Sequence, residues 1–376
     1  MSSLPRRLAR GDPAFEVTMK ANPTLFTGPG APLALTSAAL FGASTPMAKG
    51  LLGAGVSPWL LAGLLYLGSG IGLAVLQLVR RAGRARPSEA VLARADWGWM
   101  ALVALTGGVA GPLLLMFGLA VTPASSASLL LNLEGLATMA IAWVVFRENV
   151  DRRLLIGAAA ILGGAMLLAW QGAAAPVGWG AALIGGACLA WGIDNNLTRK
   201  ISASDPTQIA MVKGLAAGAV NLLIALALGA RLPAPVLTVA AGGVGFLGYG
   251  VSLVLFVLAL RFLGAARTGA YFSTAPFVGA LLAMLLFGEP ATWRLFLAAA
   301  LMAVGVWLHL AERHDHEHVH EPMEHEHAHV HDAHHQHVHG PGDPPGEPHV
   351  HRHRHGRLAH AHAHYPDLHH RHGHAS

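Results

Sequence analysis

Between residues 33 and 311 the chain is divided by Gly, Pro and charge into ten apolar runs. They span roughly 33–52, 58–79, 98–118, 125–146, 154–170, 179–198, 207–229, 236–260, 268–288 and 294–311. Runs of about 17 to 25 apolar residues are what a helix needs to cross a bilayer. The fold class that follows is an all-α membrane protein with ten transmembrane helices. Composition agrees, because 53% of the 376 residues are hydrophobic and only 12% charged, where a soluble domain carries about 25%. The single cysteine, Cys188, excludes an intrachain disulfide and reads as a small buried apolar residue. No cleavable signal is evident, since Asp12, Glu16 and Lys20 interrupt what would be its apolar region. Residues 1–32 are expected to form a cytoplasmic lead-in.

Lys and Arg set the orientation, because cytoplasmic loops hold the excess of both. With the N-terminus inside, the inner segments collect 16 basic residues and the outer loops only Arg231 and Arg294. Both termini are therefore expected in the cytoplasm, with the protein in a bacterial inner membrane. The basic balance sorts by membrane side, which argues against a nucleic-acid partner. The expected partners are the lipid bilayer, a small-molecule or metal-ion substrate and, as an option, a second copy in a homodimer.

The two halves resemble each other. FGASTPMAK at 41–49 answers WGIDNNLTRK at 191–200, with Gly42 on Gly192 and Lys49 on Arg199. FGLA at 117–120 answers FVLA at 256–259, and 129–149 answers 270–290, with Glu148 on Glu289 and Gly135 on Pro276. Five spans per half is an odd number, so the second copy sits upside down relative to the first. Such inverted repeats build many transporters, with the substrate site near the midplane. On these motifs, and on the Gly/Ala-rich fifth helix of each half, the chain resembles the EamA-type ten-helix members of the drug/metabolite transporter superfamily. The resemblance covers 33–311 and divides it into repeats at 33–170 and 171–311. It implies a secondary transporter, often an exporter of amino acids or other small metabolites, and not an enzyme. Members usually carry proline in the fourth helix of each half, as at Pro276. Here the first half has Gly135, so a bend there must come from glycine. Pro46 is a third candidate for helix bending.

A charge near the bilayer centre costs roughly 2.5–3.5 kcal/mol, so intramembrane charges are the functional candidates. Asp194 and Lys213 are expected on the order of 7–10 Å deep on neighbouring spans and are expected to pair, either as a substrate site or as a lock between two helices. Glu134 lies on the order of 13 Å deep with no base expected at its level. A carboxyl there can exchange a proton as each side opens, or can stay neutral and bond a neighbouring helix. Asn132, Trp191, Asn195, Asn196, Tyr249 and Tyr271 are further candidates for a cavity lining. Lys49 is expected to anchor the outer end of the first span by snorkelling. No Walker-type phosphate loop is present, so ATP does not drive transport within this chain.

Residues 312–376 have a different chemistry. Of 24 histidines, 23 lie after position 313, mostly as H-x-H. Few large apolar groups and many Pro, Gly and charges leave nothing to build a core, so the tail is expected to be disordered. Imidazole, with an unperturbed pKa of about 6.5, is mostly neutral in cytosol and binds Ni(II), Co(II), Zn(II) or Cu(II). The metal-ligating candidates are His314, His316, His318, His320, His325, His327, His329, His331, His335, His337, His339, His349, His351, His353 and His355. Two functions remain open. One is an exporter of a small metabolite or amino acid whose tail senses or buffers metal. The other is a divalent-metal exporter whose tail collects its cargo. The scarcity of ligating residues within the spans favours the first.

Overall fold

The computed structural model describes residues 30–82, 92–146, 152–170, 178–198, 200–201 and 204–310, with 315–320, 324–329, 349–354 and 358–363 of the tail. The N-terminal lead up to residue 29, Glu148, Arg199, and the tail histidines at 314, 331, 335, 337, 339 and 355 lie outside these residues.

Helix α1 runs Gly30–Gly53 and α2 Pro58–Ala82. A 3-10 turn at Arg94–Asp96 enters α3 (Trp97–Val103), which passes through a π-helical segment, Ala104–Ala110, into α4 (Gly111–Val121). The next span has two parts, α5 (Ala124–Leu130) and α6 (Leu133–Phe146). Then come α7 (Arg152–Ala169), α8 (Trp179–Thr198) and α9 (Pro206–Ala227). Helix α10 (Pro235–Gly245) continues through a second π segment, Phe246–Val251, into α11 (Ser252–Phe272). The last two are α12 (Ala275–Phe287) and α13 (Trp293–Leu310). Proline opens α9, α10 and α12 within the first turn, where its missing N–H has no intrahelical partner to lose. Asp205 caps α9 by accepting from Thr207 N at 2.8 Å.

Eight helical stretches among the described residues are long and apolar enough to cross a membrane. The other two of the ten expected spans are α1 and α8. These are helices of 24 and 20 residues, carrying Lys49 and Asp194, and about 30 Å of helix suffices to cross. Helix α11 contains a reversal. On a straight helix Phe256 and Phe272 would stand about 24 Å apart, yet their ring centroids are 4.9 Å apart. The helical chain therefore turns back between them and joins two separate spans, Pro235–Ala259 and Thr268–Phe287.

Packing follows the sequence correspondence between halves. Helix α8 lies against α4, α6 and the first π segment, while α1 lies against α11, α12 and the second. Helices α2 and α9 lie along each other, as do α7 and α13. Pairing the first span with the sixth, the second with the seventh, and so on, exchanges each of these contacts with another or with itself. Gly42 and Gly192 sit at corresponding crossings. A Cβ on Gly42 would come to 3.2 Å from Gly279 N on α12, and one on Gly192 to 2.9 Å from Thr138 N on α6. Small residues let these backbones approach without a hydrophobic driving force between helices.

The fourth span of each half is broken, at Leu131–Asn132 and at Ser273–Thr274. This corrects the expected bending sites. The first break precedes Gly135, and Asn132 Nδ2 donates to Leu129 O at 2.8 Å across the turn. Pro276 starts α12 and does not bend it from within. Pro46 lies in the interior of α1, where it is buried, and Pro32 lies in the first turn. Large apolar side chains face outward around the bundle; Val144 is 73% and Leu285 71% exposed, which water would penalise and lipid accepts.

In the tail four short segments are described, β1 (Asp315–His320), β2 (Glu324–His329), β3 (His349–Arg354) and β4 (Leu358–Ala363). They form two antiparallel pairs, β1 with β4 and β2 with β3. An H-x-H repeat is a period-two pattern, and period two is the strand period.

Candidate substrate site

The centre of the bundle is built around Asp194 of α8. Its side chain is 5% exposed, and Oδ2 pairs with Lys213 Nζ of α9. The other oxygen, Oδ1, is buried with no hydrogen-bond partner among the described residues. The carboxyl fits because the chain facing it is Gly107, where a Cβ would overlap it. Gly107 belongs to the first π segment, whose irregular turn frees carbonyls for other donors. Gly107 O accepts from Tyr66 Oη at 2.7 Å and Trp191 Nε1 at 2.9 Å, and Gly108 O accepts from Asn221 Nδ2 at 3.0 Å. Three helices are thus tied to one distorted turn beside the ion pair.

Glu134 owes its position to the broken fourth span. The break at Leu131–Asn132 makes a new helix N-terminus inside the bundle, and Glu134 lies in the first turn of α6, where the positive end of the helix dipole favours a carboxylate. Its Oε1 accepts from Asn195 Nδ2 at 3.0 Å. Asn195 Nδ2 also donates to Thr138 Oγ1 at 3.1 Å, and Thr138 Oγ1 donates back to Glu134 O at 2.9 Å. Asn196 completes the α6–α8 seam by donating to Thr138 O at 3.0 Å and Gly192 O at 2.8 Å.

These groups form one wall of a cavity of about 390 Å³. That wall holds Glu134, Trp191, Asp194, Asn195 and Lys213; the facing wall holds Phe41, Tyr66, Ser69, Tyr249, Ser252, Phe256 and Phe272. The aromatic wall is a continuous chain of rings. Tyr66 meets Tyr249 at 5.6 Å, Tyr249 meets Phe41 at 5.9 Å, Phe41 meets Phe272 at 5.3 Å and Phe272 meets Phe256 at 4.9 Å between centroids. The volume lies within the about 300–1,000 Å³ of small-molecule sites.

Six of the nine residues read from the sequence as substrate, coupling or cavity-lining candidates therefore meet here: Glu134, Trp191, Asp194, Asn195, Lys213 and Tyr249. Asn132, Asn196 and Tyr271 do not. Asn132 is buried at the α5–α6 break with Met302 Sδ at 3.8 Å, and Tyr271 is half-buried off the cavity wall. Sequence reasoning missed most of the aromatic wall, since a lone Phe in an apolar span carries no signal. Phe41 alone had one: it precedes Gly42 as Trp191 precedes Gly192, and both line the cavity.

A separate clamp holds the α4–α5 turn. Lys49 Nζ donates to the carbonyls of Leu119, Ala120 and Thr122 at 2.7, 3.1 and 3.0 Å, satisfying orphan acceptors at the end of α4. Glu289 follows Gly288, which ends α12 at φ 62°. Its two oxygens accept from the backbone N–H groups of Ala124 and Ser125 at 2.7 and 2.9 Å.

The family model for EamA-like transporters matches residues 28–170 and again 178–311, one copy per half. The chain belongs to the EamA-like transporter family. The members of this family are transporters and not enzymes. The chain is 32% identical over 242 residues to an uncharacterised transporter of Methanothermobacter thermautotrophicus, covering 62% of this chain and 69% of the relative. Among solved structures, one crystal structure superposes with a TM-score of 0.56 at 19% identity, covering 75% of this chain and 96% of the other. At that identity the likeness is one of fold alone. This EamA-like transporter is thus a multi-pass membrane protein that sits in a lipid bilayer and handles small-molecule substrates.

Proposed function

We propose that the protein is a secondary-active exporter of a small zwitterionic metabolite, of the amino-acid class, across a bacterial inner membrane. The observation that carries this reading is the buried Asp194–Lys213 pair in the cavity wall, facing rings across the cavity. A substrate with an ammonium and a carboxylate can exchange with the pair, its cation taken by Asp194 and its anion by Lys213, while its apolar part lies on Phe41 and Tyr249. Each charge then leaves one partner for another without crossing an uncompensated state, which in a desolvated site is the costly step. Glu134 is the coupling group, holding a proton in one orientation and giving it up in the other. The excess of Lys and Arg supports a cytoplasmic position for both termini, with the Lys49–Glu289 clamp toward the outer side.

The test is counterflow in liposomes containing the purified protein, with labelled amino acids inside and a panel of unlabelled ones outside. Stimulated exchange by amino acids, absent for their amide and decarboxylated analogues, supports the reading. Exchange that treats those analogues equally overturns it.

A second reading, divalent-metal export with the tail as collector, rests on the histidine composition. Within the described residues no three His, Cys, Asp or Glu side chains converge, which weighs against a metal path through the bundle. Metal tolerance separates the two. Cells carrying the full chain, or one stopped after Arg313, are compared on Ni(II), Co(II), Zn(II) and Cu(II). Tolerance that needs both core and tail would favour metal export.

A further inference from the structure

The cavity wall carries more acid than base. Glu134 and Asp194 both line it, and among the described residues Lys213 is the one Lys or Arg that does. Lys213 Nζ is already paired with Asp194 Oδ2. Glu134 has neutral company: Asn195 Nδ2 donates to its Oε1 at 3.0 Å, and the first turn of α6 adds only the helix dipole. With both carboxyls ionised, two negative charges face one positive charge. An uncompensated charge is costly at this depth, so Glu134 calls for a proton or for a cation arriving with the solute. A plain zwitterion brings none to spare, because its ammonium and carboxylate answer Asp194 and Lys213.

We propose that the transported solute carries two cationic groups and one carboxylate, as a dibasic amino acid such as lysine or ornithine does, and that Glu134 selects it. The proposal rests on the zwitterion reading of the Asp194–Lys213 pair and adds a third contact to it. The α-ammonium goes to Asp194, the α-carboxylate to Lys213 and the side-chain ammonium to Glu134, so that solute and wall together sum to zero. One solute can reach both acids. Asp194 and Asn195 are consecutive on α8, with Cα atoms about 3.8 Å apart, and Asn195 is the residue bonded to Glu134. The facing wall suits the same solute. Phe41, Tyr249 and Tyr66 are linked by ring contacts, and aromatic faces attract an ammonium within about 6 Å while offering apolar surface to its methylene stem. A neutral solute reaches the same charge balance with a proton on Glu134, which leaves the coupling role of that carboxyl intact.

The experiment is counterflow with the full-length protein in liposomes, loaded with labelled lysine in one series and labelled norleucine in another. The external solutes are lysine, ornithine, norleucine and ε-hydroxynorleucine. Norleucine matches lysine in length and replaces the side-chain ammonium by a methyl group. Lysine should exchange with a KM about tenfold or more below that of norleucine, the worth of one charge-assisted contact. Ornithine should group with lysine, and ε-hydroxynorleucine with norleucine. In Glu134→Gln exchange should continue, with the two KM values drawn to within about twofold of each other. Lysine no better than norleucine in the wild type overturns the dibasic assignment and leaves the zwitterion reading standing, since both solutes carry the α-ammonium and α-carboxylate. A full lysine preference in Glu134→Gln removes Glu134 as the selecting residue and overturns the proposal on that ground. No stimulation in either loading, by these solutes or by any other amino acid, overturns the zwitterion reading and the proposal together.

Discussion

The two walls of the cavity come from corresponding parts of the two halves, and they have taken opposite chemistry. The α6–α8–α9 side carries Glu134, Asp194, Asn195 and Lys213, while the α1–α2–α11 side carries rings and the hydroxyls of Ser69 and Ser252. The backbones correspond: Gly42 and Gly192 mark equivalent crossings, and both fourth spans break at nearly equivalent residues. Aligning on those glycines puts Ser44 where Asp194 stands, and aligning 129–149 on 270–290 puts Ala275 where Glu134 stands. Close helix crossings tolerate little change, because any Cβ there meets backbone, whereas cavity-facing positions are free to diverge. A repeated scaffold thereby acquires a site with a polar end and an apolar end, which can hold a small solute in one orientation.

The sharpest way to break this comparison is to remove the charge from the polar wall. Asp194→Asn or Lys213→Met leaves the other charge buried and unpaired at about 3–5 kcal/mol, so substrate counterflow should fall by about 100-fold or more. Exchanging the two, Asp194→Lys with Lys213→Asp, should recover part of the activity; if it recovers none while the protein stays folded, the pair does more than neutralise itself. Glu134→Gln should retain counterflow but lose its response to an imposed pH gradient, and uptake that still tracks the gradient would remove Glu134 from coupling. Gly107→Ala pushes a methyl into the Asp194 carboxyl, an overpacking of about 1–3 kcal/mol, and should lower both thermal stability and transport, with Gly135→Ala as a neutral control because its Cβ meets nothing within 4 Å. On the apolar wall, Phe256→Leu should raise KM by about three- to tenfold, the worth of an aromatic contact at about 0.5–1.5 kcal/mol, for substrates with apolar side chains and not for glycine-like ones. Smallest of all, Glu289→Gln leaves one neutral acceptor for the two N–H groups of Ala124 and Ser125 that a carboxylate accepts from, and should change the maximal rate of exchange about twofold while leaving KM in place.

Much of the fold was legible because lipid removes choices. Ten apolar runs, their Gly and Pro punctuation and the repeat of Gly42 at Gly192 were visible without coordinates, since a backbone in hydrocarbon must be helical and close crossings need small residues. Asp194 and Lys213 stood out for the same reason, their cost in the membrane making them conspicuous. Tertiary structure decided the rest. Nothing local says that Gly107 lies against Asp194, that Tyr66 and Trp191 share one π-segment carbonyl, or that Asn132 caps a break away from the cavity. Each depends on residues brought together from distant spans. In the tail, the H-x-H composition carries the expectation of metal binding, whereas which residues stand opposite each other, as His325 and His353 do and His320 and Leu358 do, depends on the pairing of distant strands. Solvent preference is written residue by residue, whereas who faces whom is a property of the packed chain.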